Sequence, residues 1–261
     1  MNLIRPVLCL SVLLLSLPVQ AADLPAELET TITQMTALSN QGDLDGYMRF
    51  FDPGFRHEDG LTRAQMRQAL EKLWANHEQL TYTTTIQSWE HSGSRATVTL
   101  STRVTGQERS PRGVWRLNGE TVVENRYLLN AEGMWHLLGQ RTLRESITLR
   151  SGQRPPTVTV NLPTEVPAGE NFTIEAIVAE PLQDRLLAGS LVSQQVMPSL
   201  YGRTTSFRLA PLQAGGIFRT ATAPETPGSQ WISVMFVNSN GVTIASQRLQ
   251  ILAPPSSGAS Q

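Results

Sequence analysis

Residues 50–66 read FFDPGFRHEDGLTRAQM, and the fold turns on how this stretch is read. His57, Glu58 and Asp59 are adjacent, with aromatics before them and a glycine turn after. Neighbours on a strand point to opposite faces, so the three cannot converge on one metal ion. Their spacing matches no zinc motif either. The stretch reads better as a joint between elements. A helix ends near Phe50, Phe55 to His57 form a short strand, and the chain turns at Gly60. Thr62 and Gln65 then make a T-x-x-Q capping box that opens the next helix. On this reading Phe51, Phe55 and His57 face inward, while Glu58 and Asp59 belong to a solvated turn.

Upstream of the joint, LPAELETTITQMTALSNQGD places Leu28, Ile32, Met35 and Leu38 at helical spacing. Gly42 closes that helix and Asp43 caps a second one through LDGYMRFF. Downstream, TRAQMRQALEKLWANH sets Met66, Ala69, Leu70, Leu73 and Trp74 on one face of a third helix. Four β-rich segments follow, ending in GMWHLLGQRTLRESITL. Helices followed by strands predict an α+β unit, an antiparallel sheet covered by helices on one face. SGQRPP, Ser151–Pro156, interrupts this regime. Beyond it come short strand-like runs from TVTVNL to VTIASQRLQIL, punctuated by Pro, Gly and Asn. About seven strands in ~100 residues predict an immunoglobulin-like β-sandwich, here without the Cys–Trp–Cys signature.

The first 21 residues have another character. Arg5 precedes the apolar run Val7–Leu17, and PVQA ends in small residues. That is the pattern of a secretory signal peptide, with cleavage expected after about Ala21. The apolar core is shorter than the ~20 residues needed to span a bilayer. An uncleaved anchor is the alternative. The single cysteine, Cys9, lies within this run. The mature chain therefore has no disulfide, thiolate ligand or cysteine nucleophile. Net charge is −1, and Lys72 is the one lysine among 21 basic residues. So even a balance gives no support to nucleic-acid binding. The expected plan is a signal peptide (1–21), an α+β domain (22–150), a linker (151–156), a sandwich (157–253) and a disordered tail (254–261).

The order of two helices, DPGFRHEDG, a third helix and four long strands resembles the nuclear transport factor 2-like superfamily. That group includes ketosteroid isomerases and SnoaL-like polyketide cyclases. The likeness covers about Leu24 to Thr148. The whole chain, through LPTEVPAGENFTIEAIVAEPL and AGGIFRTATAPETPGSQWISV, is also similar to exported cyanobacterial proteins that join these two domains. The resemblance implies an α+β cone, three helices on a curved antiparallel sheet, followed by the all-β immunoglobulin-like sandwich. It further implies a pocket between helices and sheet. The candidate lining residues are Tyr47, Phe51, Phe55, His57 and Trp74, with Trp89, Tyr127, Trp135 and His136 from the sheet.

Two functions compete. An exported, non-catalytic binding or interaction protein would hold a small apolar ligand, or dimerise through the N-terminal sheet. Its sandwich would dock an envelope partner. A periplasmic isomerase or cyclase would instead need a carboxylate or imidazole base beside phenol donors in an apolar pocket. Tyr47 is the candidate donor, with His57, Asp59 or Glu124 as base. No confident catalytic set emerges, and no cofactor or metal is implied. Nucleotide fingerprints and a nucleophile elbow are both absent from the sequence. Arg126, Arg141 and Arg144 alternate beside Glu124 and Glu145, which cross-strand ion pairs on the open face of the sheet would explain.

Overall fold

The computed structural model describes residues 23–110, 113–181 and 186–254. The expected signal segment lies outside the described residues, as does all but the first residue of the expected tail. The N-terminal half runs α1 (Ala26–Gln41), α2 (Leu44–Met48), β1 (Phe51–His57), α3 (Arg63–Asn76), β2 (Glu78–Ser92), β3 (Arg95–Ser110), β4 (Gly113–Leu129) and β5 (Trp135–Gly152). The C-terminal half adds β6 (Val158–Asn161), β7 (Glu165–Pro167), β8 (Asn171–Val178), β9 (Ala188–Gln195) and a 3-10 turn at Pro198–Leu200. It ends with β10 (Ala210–Pro211), β11 (Gly216–Thr222), β12 (Gly228–Asn238) and β13 (Gly241–Leu252).

Local chemistry sets the helix ends. α1 stops where Gly42 turns left-handed, its N–H reaching the Leu38 and Ser39 carbonyls. The Asp43 carboxylate accepts the Gly46 N–H at 2.8 Å and starts α2. Thr62 and Gln65 cap α3 reciprocally, side chain to backbone in both directions. Leu28, Ile32, Met35, Met48, Phe51 and Phe55 pack against Val98, Leu100, Tyr127, Trp135 and Leu137 of the sheet. α3 differs: none of its residues is fully buried. Its Met66 and Leu70 pack half-buried against the core and also border open space.

The sheet corrects the expected fold class. The two halves are not an α+β cone followed by a separate all-β domain. One 10-stranded sheet crosses both: eight strands run in the order β10-β9-β12-β13-β5-β4-β3-β2, with β1 also paired to β5 and β7 to β13. The cause is the length of β5, 18 residues. One of its edges pairs with β4 along Trp115–Leu129. Its other edge takes β1 in parallel as far as Gln140, and then β13 from Ser146 to Gly152. Ser151 and Gly152, expected in a linker, are thus still strand. Gly152 has φ +107°, and a Cβ there would lie 2.4 Å from the Asn240 carbonyl oxygen, so the close approach of β13 requires glycine. The C-terminal strands do form two facing layers, but one layer is the shared sheet. The other, β11-β8-β6, packs Phe172, Ile174, Ala176 and Val178 onto Ile232, Val234, Phe236 and Leu249.

Candidate functional site

The partner change along β5 leaves an interval, residues 141–145, where neither β1 nor β13 pairs with its edge. Backbone groups there need other partners. The Gln250 amide supplies one, donating to the Thr142 and Leu143 carbonyls at 2.7 and 3.1 Å. A bulge accompanies it, since Val122 faces Arg144 while the next residue, Val123, faces Thr142. Into this interval fold the residues of the HED joint.

Asp59 does not lie in a solvated turn. Its side chain is 6% exposed and grips the Arg248 guanidinium in two-pronged fashion at 3.0 and 2.9 Å. The Tyr201 hydroxyl donates to the same carboxylate. Arg248 Nε donates in turn to Glu145 at 3.0 Å, and Glu145 also accepts the Trp231 indole N–H at 3.0 Å. Burial pushes the Asp59 carboxyl up, but Arg248 and Tyr201 outweigh it and hold the group below the ordinary carboxylate range. Burial also acts on Arg248, where the two carboxylates prevail and keep the guanidinium charged. His57 Nδ1 accepts the Asp59 N–H at 3.1 Å, so the neutral ring carries its proton on Nε2, facing Thr142 Oγ1 at 3.3 Å. Burial lowers the His57 pKa against the pull of Asp59.

Beside this network is a chamber of about 250 Å³ between α1, α3 and the sheet. Ile32, Met35, Met66, Leu70 and Trp74 form its helical wall, and Leu100 and Val123 rise from the sheet. Four phenols reach it; the Tyr201 hydroxyl is committed to Asp59, which leaves three, Tyr47, Tyr82 and Tyr127. Tyr82 is placed by Asn40, whose side chain clasps the Tyr82 backbone N–H and C=O at 2.7 and 3.0 Å. Its hydroxyl accepts the Trp74 indole N–H at 2.8 Å. Tyr127 accepts from Asn125 at 3.1 Å, and Gln140 donates to Asn125 at 2.9 Å. Accepting leaves each hydroxyl its own proton to donate. The Tyr47 hydroxyl has no hydrogen-bond partner among the described residues; its ring lies 5.3 Å from Phe51 and 5.9 Å from Trp74. Burial raises all three pKa values, Tyr127 up to about 12 and Tyr47 further. The phenols are therefore neutral donors.

Of the residues proposed from sequence, Tyr47, His57, Trp74 and Tyr127 line this chamber together. Phe51 and Phe55 lie in the core, ring centroids 4.8 Å apart. Trp135 is buried against His91, and Trp89 is 40% exposed. His136 meets Asn130 at 3.2 Å and is not among the lining residues. Glu124 pairs with Arg141 on the open face at 3.1 Å, while Glu145 pairs inward instead. Sequence reasoning missed Tyr201 and Arg248. On β13, Thr243, Ala245, Leu249 and Ile251 are buried, as an alternating strand requires. That alternation assigns Arg248 and Gln250 to the opposite face, which reads as solvated until the helix-bearing half covers it. Among the described residues no group of three His, Cys, Asp or Glu is placed to hold a metal ion.

Residues 153–252 match a family described as a domain of unknown function (DUF8623). No curated protein matches the chain. Among solved structures, a conserved protein from Planctomyces limnophilus is similar at 13% identity, over 44% of this chain and 91% of that one, with a TM-score of 0.38. A ketosteroid isomerase-like protein from Erwinia carotovora atroseptica shows 13% identity over 45% of this chain and 92% of its own, at 0.36. A Bdellovibrio bacteriovorus protein shows 12% identity over 44% of this chain, at 0.37, and the match spans only 38% of that protein. Likenesses this distant carry no weight for function.

Proposed function

We propose that the chain binds, outside the cytoplasm, a small and mostly apolar molecule bearing a hydrogen-bond acceptor, without transforming it chemically. The observation that supports this most is the convergence of three neutral phenols on one apolar-walled chamber. The guest oxygen would accept from Tyr47 and Tyr127, while its apolar body contacts Ile32, Met35 and Leu70. The chamber, about 250 Å³, lies below the ~300–1,000 Å³ of drug-sized pockets, so the guest is correspondingly small. Neither nearby carboxylate is a free base: Asp59 is committed to Arg248 and Tyr201, and Glu145 to Arg248 and Trp231. Export is supported by the charged, apolar and small-residue pattern of the first 21 residues.

A second reading, an isomerase or cyclase, is favoured by one arrangement. His57 and Glu145 line the same chamber as the phenols, as an enolate-forming site would require. Calorimetry with 2-cyclohexenone, paired with an ultraviolet assay for conversion of 3-cyclohexenone to the conjugated isomer, separates the readings. Binding is expected near one molecule per chain. It should weaken about fivefold in Tyr47→Phe and again in Tyr127→Phe, since a net hydrogen bond contributes about 1 kcal/mol. Conversion faster than in buffer, lost in His57→Gln, would replace binding with catalysis. No binding of small ketones, phenols or ethers would end the proposal.

A further inference from the structure

Outside the chamber lies a larger groove, about 670 Å³, between α3 and the segment from the 3-10 turn to Thr205. We infer that this groove is a second ligand site, distinct from the chamber, and that it takes a medium-chain carboxylate: an anionic head on a flexible apolar body. Its walls are apolar and aromatic. Met66, Leu70 and Leu73 line it from α3, opposite Tyr201 and Trp231, whose rings meet edge to face at 5.2 Å. Its charges are asymmetric. Glu145 is already bound by Arg248 and Trp231, which leaves Glu108, 4.0 Å from His77, as one carboxylate against two cations. Two cations at the exposed rim, Lys72 and Arg203, have no carboxylate partner among the described residues. Lys72 lies along Gly202, where a Cβ would come within 3.1 Å of its Cδ, so the lysine stem is held against the loop that carries Arg203. An apolar trough under two uncompensated cations suits one anionic head, and neutral or cationic amphiphiles would forgo that attraction.

Groove and chamber share Met66, Leu70, Glu145 and Tyr201 as lining residues, so the partition between them is a layer of side chains. Tyr201 is the fixed member of that layer, because its hydroxyl is tied to Asp59. The two sites can therefore be filled separately.

Calorimetry of the full mature chain with decanoate and with decanol, each below its aggregation limit, tests the groove. Decanoate is expected to bind more tightly than decanol, with an advantage that shrinks in high salt. Lys72→Gln/Arg203→Gln should weaken decanoate about tenfold, which is about 1.4 kcal/mol for the two charges together, and leave decanol unchanged. Thr36→Phe, which intrudes on the chamber alone, should abolish 2-cyclohexenone binding and spare decanoate. The inference is overturned if decanoate binds no better than decanol, if the double variant binds it normally, or if Thr36→Phe removes both ligands. Retained cyclohexenone binding beside absent decanoate binding would overturn the groove and leave the chamber standing.

Discussion

Two ion-pair systems sit four residues apart on β5, and they differ in everything except residue type. On the open face Arg141 meets Glu124 at 3.1 Å, with side chains 49% and 29% exposed. At the junction Glu145 and Asp59 share Arg248, whose side chain is 1% exposed. The first pair stays in high dielectric, where such contacts contribute roughly 0–1 kcal/mol. The second has lost its water, so each partner depends on the others to avoid an uncompensated buried charge. The first joins neighbouring strands of one hairpin. The second joins residue 59 to residue 248 and ties the helix-bearing half to the C-terminal strands through the interval that backbone pairing leaves open. Proximity in a strand says little about energetic weight; burial decides it.

Arg248→Ala is the harshest way to break the comparison. It strands Asp59 in an apolar setting, and a loss of about 3–5 kcal/mol is expected. For a chain of this size that corresponds to a fall in melting temperature of roughly 10 °C or more. The double variant Asp59→Leu/Arg248→Met removes two of the three charges and should recover part of the loss, with Glu145, 16% exposed, still held by the Trp231 indole N–H. Thermal unfolding of the three proteins is the measurement. A double variant as unstable as Arg248→Ala would show that packing, not uncompensated charge, sets the cost.

The elements themselves were legible because their signals are local. Gly42, Asp43 and the Thr62–Gln65 box act within a single turn, and all three mark the helix ends seen in the structure. Tyr47, His57, Trp74 and Tyr127 are candidates that the resemblance to a cone-shaped fold implies, and all four line the chamber. The continuity of the sheet was not legible. SGQRPP contains two prolines and a glycine, the usual marks of a linker, yet Ser151 and Gly152 complete β5 and only then does the chain leave. Whether such residues extend a strand depends on a partner 90 residues away in β13. Asp59 was misread for the same reason. A carboxylate before a glycine is solvated by default, and the guanidinium that buries it arrives from the other end of the chain.

Acid sharpens the contrast, because the junction holds two groups, His57 and Asp59, whose protonation is coupled to folding. His57 has a lowered pKa in the fold, so the unfolded chain binds the proton first. Stability should begin to fall as the pH drops through the unfolded value of ~6.5, and continue until the folded value is reached. Asp59 is also lowered, so its contribution is complete above the unfolded value of ~3.9 and is lost as the pH falls towards the folded one. Two successive acid limbs are expected. The upper one should be no steeper than about 1.4 kcal/mol per pH unit, the slope of a single proton. Urea unfolding between pH 8 and pH 4.5 reads it. His57→Gln should flatten this upper limb and leave the lower one in place. An unchanged slope in that variant would mean that His57 is not held neutral.

Arg141→Ala carries the smallest expected effect and tests the other side of the comparison. With both partners in contact with solvent, its loss should cost about 0.5 kcal/mol or less and shrink further in salt. A local signature should accompany it. Burial raises the Glu58 carboxyl pKa and Arg141 offsets part of that rise, so the variant should move Glu58 higher still in a carbon-detected titration. A stability loss on the scale of Arg248→Ala, growing with protein concentration, would place Arg141 and Glu124 under a second copy of the chain. The open face of β3, β4 and β5 would then be a dimer surface, as the N-terminal sheet was expected to provide, and the difference between the two ion-pair systems would exist only in the monomer.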